Sequence, residues 1–240
     1  MVAAHDGLWG LKMTVRLSID VVSDVACPWC AVGLFALERA LERLDGEVQA
    51  ELRFVPFELN PQMGPEGQDL GEHLTQKYGS TPEQQARMRE TIAARGAEVG
   101  FVFAPQGRGR VCNTFDAHRL LAWAGAQGAD AQRRLKIALL QAHQGRAERV
   151  DDPAVLLRAV EAAELDTHGA QAVLSSHAHA DEVRALEHSV HQAEIHSVPT
   201  FIINDQYLIS GGQPVEVFEH SLRQIAQEAN GSDAALQDTP

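Results

Sequence analysis

The stretch Arg16-Leu17-Ser18-Ile19-Asp20-Val21-Val22-Ser23-Asp24-Val25-Ala26-Cys27-Pro28-Trp29-Cys30 decides how this chain is read. Leu17, Ile19 and Val21 alternate with Ser18 and Asp20, the period of a strand, so Arg16 to Val22 is expected to be extended. Beyond the stretch, Leu34, Leu37, Leu41 and Leu44 recur at helical spacing over Ala31 to Leu44, and Asp45-Gly46 supplies a stop. Cys27-Pro28-Trp29-Cys30 thus falls where a strand hands over to a helix. Two thiols three residues apart at a helix start share one face, about a turn from each other, within reach of a disulfide. The first stands where unpaired backbone N–H groups and the positive end of the helix dipole stabilise a thiolate, the nucleophile of disulfide exchange. The pattern therefore assigns attack to Cys27 and resolution to Cys30. Pro28 and Trp29 shape the helix start and are expected to tune the redox potential, with Trp29 also offering an apolar contact for substrate.

Other cysteine chemistries fit less well. A zinc site needs four ligands, usually from two such knuckles, and the only other cysteine is Cys112, so no metal is assigned. Three cysteines in 240 residues do not make a disulfide-rich secreted framework. A formal charge of −13 argues against nucleic acid or an anionic membrane as the main partner, and no apolar run reaches the length of a membrane span. Met1 to Met13 lack the basic start, apolar stretch and cleavage site of a secretory signal. They read as a flexible tail, with Met13 as an alternative start and the reducing cytoplasm as the expected compartment, where the dithiol is the resting form.

Further along, Leu52-Arg53-Phe54-Val55 reads as a second strand closed by Pro56, completing a βαβ unit that chirality makes right-handed and parallel. From about Pro61 to Ile195 nearly everything reads as helix: Asp69 to Tyr78, Pro82 to Val99, Thr114 to Ala126, Ala131 to His143, Pro153 to Ala163 and Ala178 to Glu194. Strand character returns at Thr200-Phe201-Ile202-Ile203 and Tyr207-Leu208-Ile209, a hairpin around Asn204-Asp205-Gln206. Pro214 then opens a last helix striped by Phe218, Leu222 and Ile225. The element order describes an α/β chain: a thioredoxin fold interrupted by a large α-helical insertion domain. The expected parts are a discontinuous thioredoxin-like domain over 14–60 and 196–229, an insertion over 61–195, and tails at 1–13 and 230–240.

Cys27-Pro28-Trp29-Cys30 together with Ser197-Val198-Pro199-Thr200-Phe201 resembles the active-site pair of the DsbA-like thioredoxin superfamily. Four elements in order resemble its FrnE-like cytosolic branch: Asp24 to Cys30, Phe57-Glu58-Leu59-Asn60-Pro61, Asn113 to Arg119, and Ser210-Gly211-Gly212-Gln213-Pro214. With the proline loop they cover Arg16 to about Glu228. The resemblance implies thiol–disulfide oxidoreductase or isomerase activity on polypeptide disulfides, and a cis-proline loop facing the cysteines. There the backbone of Val198 beside Pro199 would pair with a substrate chain. It implies no cofactor beyond the dithiol, with glutathione as a candidate electron donor and a disulfide-containing polypeptide or low-molecular-weight thiol as partner. One FrnE-like subgroup has a second cysteine pair near its C-terminus; this chain has no cysteine after Cys112.

Two rival readings stand beside this one. Kappa-class glutathione transferases and 2-hydroxychromene-2-carboxylate isomerases share the split architecture and resemble the Asn113-Thr114 element, but their pattern puts serine where Cys27 stands. A non-catalytic chaperone-like module would use a groove between the lobes and leave the dithiol unexplained. Of the remaining features, Asp24 reads as a solvated turn carboxylate and Cys112 as a buried free thiol. Arg108 and its neighbours read as ordinary surface, and His118 and Arg119 as structural. His177, His179, His188, His191 and His196, flanked by Asp181, Glu182, Glu187 and Glu194, read as a solvated helix face.

Overall fold

A computed structural model describes residues 14–237. The expected strand is β1, Val15–Ser23, and the expected helix is α1, Pro28–Arg43. The helix starts three residues earlier than the leucine repeat suggests, with Cys27 at its N-cap and Pro28 in the first turn, where a missing N–H costs nothing. β2, Val48–Pro56, runs parallel to β1 over nine residues. The far hairpin is β5, Thr200–Ile203, and β6, Tyr207–Ser210, turning through Asn204 and Asp205 at positive φ. β5 pairs antiparallel with β1, giving one four-stranded sheet of order β2-β1-β5-β6. That is the thioredoxin arrangement the element order implied.

Between the two halves lie β3 (Gln68–Asp69), α2 (Leu70–Tyr78), α3 (Pro82–Val99), β4 (Arg110–Val111), α4 (Phe115–Gly125) and α5 (Ala129–Leu140). A π turn, Gln141–Gly145, extends α5, and α6 (Pro153–Ala162), α7 (Thr167–Leu174) and α8 (Ala180–Gln192) follow. α3 occupies the span its Thr81-Pro82-Glu83-Gln84 capping box and Gly100 stop dictate. α7 was not anticipated: at eight residues it buries only Ala170 and Val173, too few positions to register a period. The short β3–β4 pair was missed for the same reason. The closing helix α9, Val215–Gln237, runs through the part of the expected tail at 230–237, where Ala234-Ala235-Leu236 are strong helix formers. The rest of both expected tails, including the alternative start at Met13, lies outside the described residues.

One apolar core joins the sheet to α1 and α9, through Leu17, Ile19, Val21, Leu34, Leu37, Phe201, Phe218 and Leu222. The insertion is not walled off from it: Val99, Phe101 and Leu140 belong to the same cluster. On the other face Val22 and Val55 pack with Val190 and Ile195. A separate cluster holds α4 to α7 together, yet it includes Val25 from the cysteine loop. Gln132 of α5 bonds both backbone groups of Phe54, accepting from its N–H at 2.9 Å and donating to its carbonyl at 3.2 Å. α5 thereby covers an edge of the sheet that would otherwise be open to pairing.

Candidate active site

Cys27 sits at the N-cap of α1 in extended conformation. Its thiol is held below the usual range chiefly by a hydrogen bond from the Cys30 thiol. Burial pushes the other way, and the Cys30 and Trp29 backbone N–H groups add to the lowering. Cys30, a turn on and fully enclosed, is pushed well above the ordinary thiol value, first by burial and then by the negative charge of Cys27. Both are free thiols. The same spacing thus yields one thiol made more acidic than usual and one made less acidic.

Val198-Pro199 lies directly opposite. The peptide bond between them is cis, and the Cys27 thiol donates to the Val198 carbonyl at 3.6 Å. The Pro199 carbonyl is taken by Gly211 N–H at 2.8 Å, which ties the Ser210-Gly211-Gly212 element to the loop. Gly33 of α1 explains why three distant motifs meet here. A Cβ on Gly33 would lie 3.0 Å from Pro199 Cγ and Phe201 Cζ and 3.3 Å from Gly212 Cα. Gly212 in turn lies against Trp29, where a Cβ would approach the indole to 3.3 Å. Two glycines let the cysteine helix, the proline loop and the β6–α9 turn close on one another. Cys27 is left 5% exposed.

Behind the sulfurs lies a polar layer that the sequence did not reveal. Asp24 is fully buried, not a solvated turn carboxylate. Its two oxygens accept from the N–H groups of Ala26 at 3.0 Å and Leu59 at 2.8 Å, and His118 Nε2 stands 3.5 Å away. Burial alone would raise this carboxyl, but the nearby His118 ring and the bonds from the Leu59 and Ala26 N–H groups outweigh it and hold it at about 2. Arg108 is not ordinary surface: its guanidinium donates to the Ala26 carbonyl beside Cys27, and its Nε is buried with no partner among the described residues. Gln144, in the π turn, donates to the Val25 carbonyl at 2.8 Å. Lys136 of α5 is 1% exposed. Its ammonium lies 5.8 Å from the centre of the Phe54 ring and has no hydrogen-bond partner among the described residues.

The remaining expected features sort plainly. Cys112 is buried, and burial with the nearby Asp151 charge pushes its thiol up to about 11, so it stays protonated. Arg119 is structural, donating to the carbonyls of Ala178, Val173 and Ser176. His177, His188, His191 and His196 are exposed as expected, but Glu187 is buried beside Glu58 with Arg184 between them, so that helix face is not uniformly solvated. No group of three metal-ligating side chains occurs among the described residues. No described helix is long and apolar enough to cross a membrane.

The chain and its fold have counterparts among known proteins. The sequence is 30% identical over 215 residues to the uncharacterized protein YwbO of Bacillus subtilis, covering 88% of this chain and 96% of that one. The crystal structure of a probable DsbA oxidoreductase from Streptomyces coelicolor superposes with a TM-score of 0.79 at 33% identity, covering 88% of this chain and 90% of the other. A 2-hydroxychromene-2-carboxylate isomerase shares the fold at 17% identity and a TM-score of 0.59, over 89% of this chain and 98% of that one. The family described as DSBA-like thioredoxin domain matches residues 18–223, and the chain belongs to that family of thiol–disulfide oxidoreductases.

Proposed function

We propose that this chain is a protein thiol–disulfide oxidoreductase or isomerase of the cytoplasm, working through the Cys27–Cys30 dithiol. The observation that carries the reading is the asymmetry of the pair. Cys27, at a helix N-cap and against the Val198 carbonyl, is made more acidic than an ordinary thiol, while Cys30, more deeply enclosed, is made less acidic. Cys27 attacks a substrate disulfide and forms a mixed disulfide; Cys30 then attacks Cys27, forming the internal disulfide and releasing the reduced substrate. Val198 presents main chain to an extended substrate, which suits an unfolded polypeptide laid in as an added strand. Trp29, half-buried at the rim, is the apolar contact. Glutathione is the proposed reductant of the internal disulfide, and no other cofactor is invoked. The test is insulin-disulfide reduction and refolding of scrambled ribonuclease. Cys27→Ala is expected to abolish both, and Cys30→Ala to accumulate mixed disulfides; full activity in Cys27→Ala overturns the reading.

A second reading has one observation in its favour. A nucleophile only 5% exposed suits a small thiol conjugate at least as well as a protein chain. Glutathione-dependent turnover of a small electrophile that survives Cys30→Ala would establish it, since such chemistry needs a single activated sulfur.

A further inference from the structure

Three backbone segments meet around Cys27, and the helical insertion places a cation on a carbonyl of each. Arg108 donates to the carbonyl of Ala26, the residue before Cys27. Lys77, in the last turn of α2, donates at 2.9 Å to the Leu59 carbonyl and at 2.9 Å to Asn60 Oδ1. Leu59 packs in the same apolar cluster as Val198, so this ammonium stands on the proline-loop side. Arg95 of α3 reaches the Gly212 carbonyl at 3.5 Å, and Gly212 lies against Trp29. Arg89, also on α3, passes over the Arg108 loop, where a Cβ on Gly107 would lie 3.4 Å from its Cδ. Lys77 and Arg108 converge as well: after burial, their two charges are what hold the His73 ring below its ordinary value.

These contacts fix the cations without cancelling them, because a carbonyl orients a guanidinium or ammonium but carries no net charge. No carboxylate among the described residues is ion-paired with Lys77 or Arg108. Arg95 has Glu98 at 3.4 Å, an exposed pair of the kind that contributes little. Asp24 is turned inward onto the N–H groups of Ala26 and Leu59. In a chain carrying −13 overall, the nucleophile therefore sits behind a rim of the opposite sign.

We propose that this rim selects the substrate: the dithiol acts on polypeptide disulfides whose neighbouring residues are acidic, an inference that rests on the dithiol reading above. A substrate laid extended along Val198 alternates its side chains at about 3.3 Å per residue, so those flanking its cysteine reach outward on either side of Cys27. Cations already held in place lose little freedom on pairing with a carboxylate, and a cleft of one sign draws in the other. A lysine-flanked disulfide is turned away by the same charges. The selection lies in which disulfide reaches Cys27; the exchange that follows is the one already described.

The experiment uses the reduced full chain in single turnover with three peptides of one sequence, each closed by a disulfide and carrying Glu, Gln or Lys beside its cysteines. Each rate is divided by the same peptide's rate with dithiothreitol at the same salt, which removes differences in the disulfides themselves. At ~20 mM ionic strength the Glu peptide is expected to react about tenfold faster than the Gln peptide, and the Lys peptide slower again. At ~0.5 M the three should fall within about twofold. Lys77→Gln with Arg95→Gln keeps donors for the carbonyls and removes both charges, and should bring the Glu-to-Gln ratio below about threefold. Lys77→Arg with Arg95→Lys should retain the wild-type ratio. An undiminished ratio in the neutral pair overturns the proposal. Equal rates for the three peptides with the wild-type chain at low salt overturn it without any variant. Reduction of none of them overturns the dithiol reading itself, a different outcome.

Discussion

The thioredoxin-like half and the helical insertion contribute different chemistry to one site. The first supplies the sulfurs and the backbone they face: Cys27, Cys30, and the Val198 carbonyl brought close by Gly33 and Gly212. The second supplies side chains behind them: Arg108 on the Ala26 carbonyl, His118 beside Asp24, Gln144 on Val25, and the enclosed Lys136 against the Phe54 ring. One region depends on close backbone approach, the other on buried polar partners. A defect in the first should remove the site's geometry, whereas a defect in the second should change rates and pH dependence while the geometry survives.

The largest expected effect breaks the first half of that comparison. Gly33→Val places methyl groups where Pro199 and Phe201 already stand, so overpacking should cost about 3 kcal/mol and displace the proline loop. Urea unfolding and insulin reduction should both fall sharply; retained activity would mean that the loop's seat on α1 is unimportant. Asp24 joins the two halves. Its carboxyl lies below its unfolded value of 3.8, at about 2, so its stabilisation is complete above roughly pH 4 and is lost as pH falls toward 2. That shift corresponds to about 2 kcal/mol. Asp24→Asn offers one amide oxygen to two backbone donors and leaves one unpaired. It should destabilise at neutral pH and flatten the urea midpoint across that acid range. An unchanged slope would remove Asp24 from the account.

Arg108→Gln sharpens the second half. With the Ala26 carbonyl contact weakened and a cation taken from beside Cys27, Cys27 alkylation at neutral pH should slow severalfold. A shift in fold stability without any change in alkylation would mark Arg108 as packing alone. The smallest effect belongs to Arg43→Ala, which removes exposed ion pairs between α1 and α9. Surface pairs of this kind contribute little, and the melting temperature should hold steady.

Much of the first half was legible in the chain. The alternation at Leu17, Ile19 and Val21, the Cys27–Cys30 spacing, and Val198-Pro199 before a hairpin are local patterns, and each carries its own period or turn chemistry. The second half was not. Asp24 resembles any turn carboxylate until Ala26, Leu59 and His118 are seen around it, and Arg108 resembles any surface arginine until it reaches a carbonyl 82 positions away. Lys136 follows Arg133 and Arg134 on a helix whose exposed side is charged, so nothing in the period separates it from them. Gln144 and Val25 lie 119 positions apart, and only the packing of α5 against β2 brings them together.

Read without the fold, the chain carries the order of strands and helices, the dithiol at a helix start and a proline at the head of the far hairpin, because hydrophobic period, capping and turn preferences act within a few residues. The helix start already marks Cys27 as the more acidic thiol; tertiary packing adds the burial that makes Cys30 less acidic and the charges that surround the pair. Burial by elements far apart in the chain sets that part, and it is not a property of any short stretch of sequence.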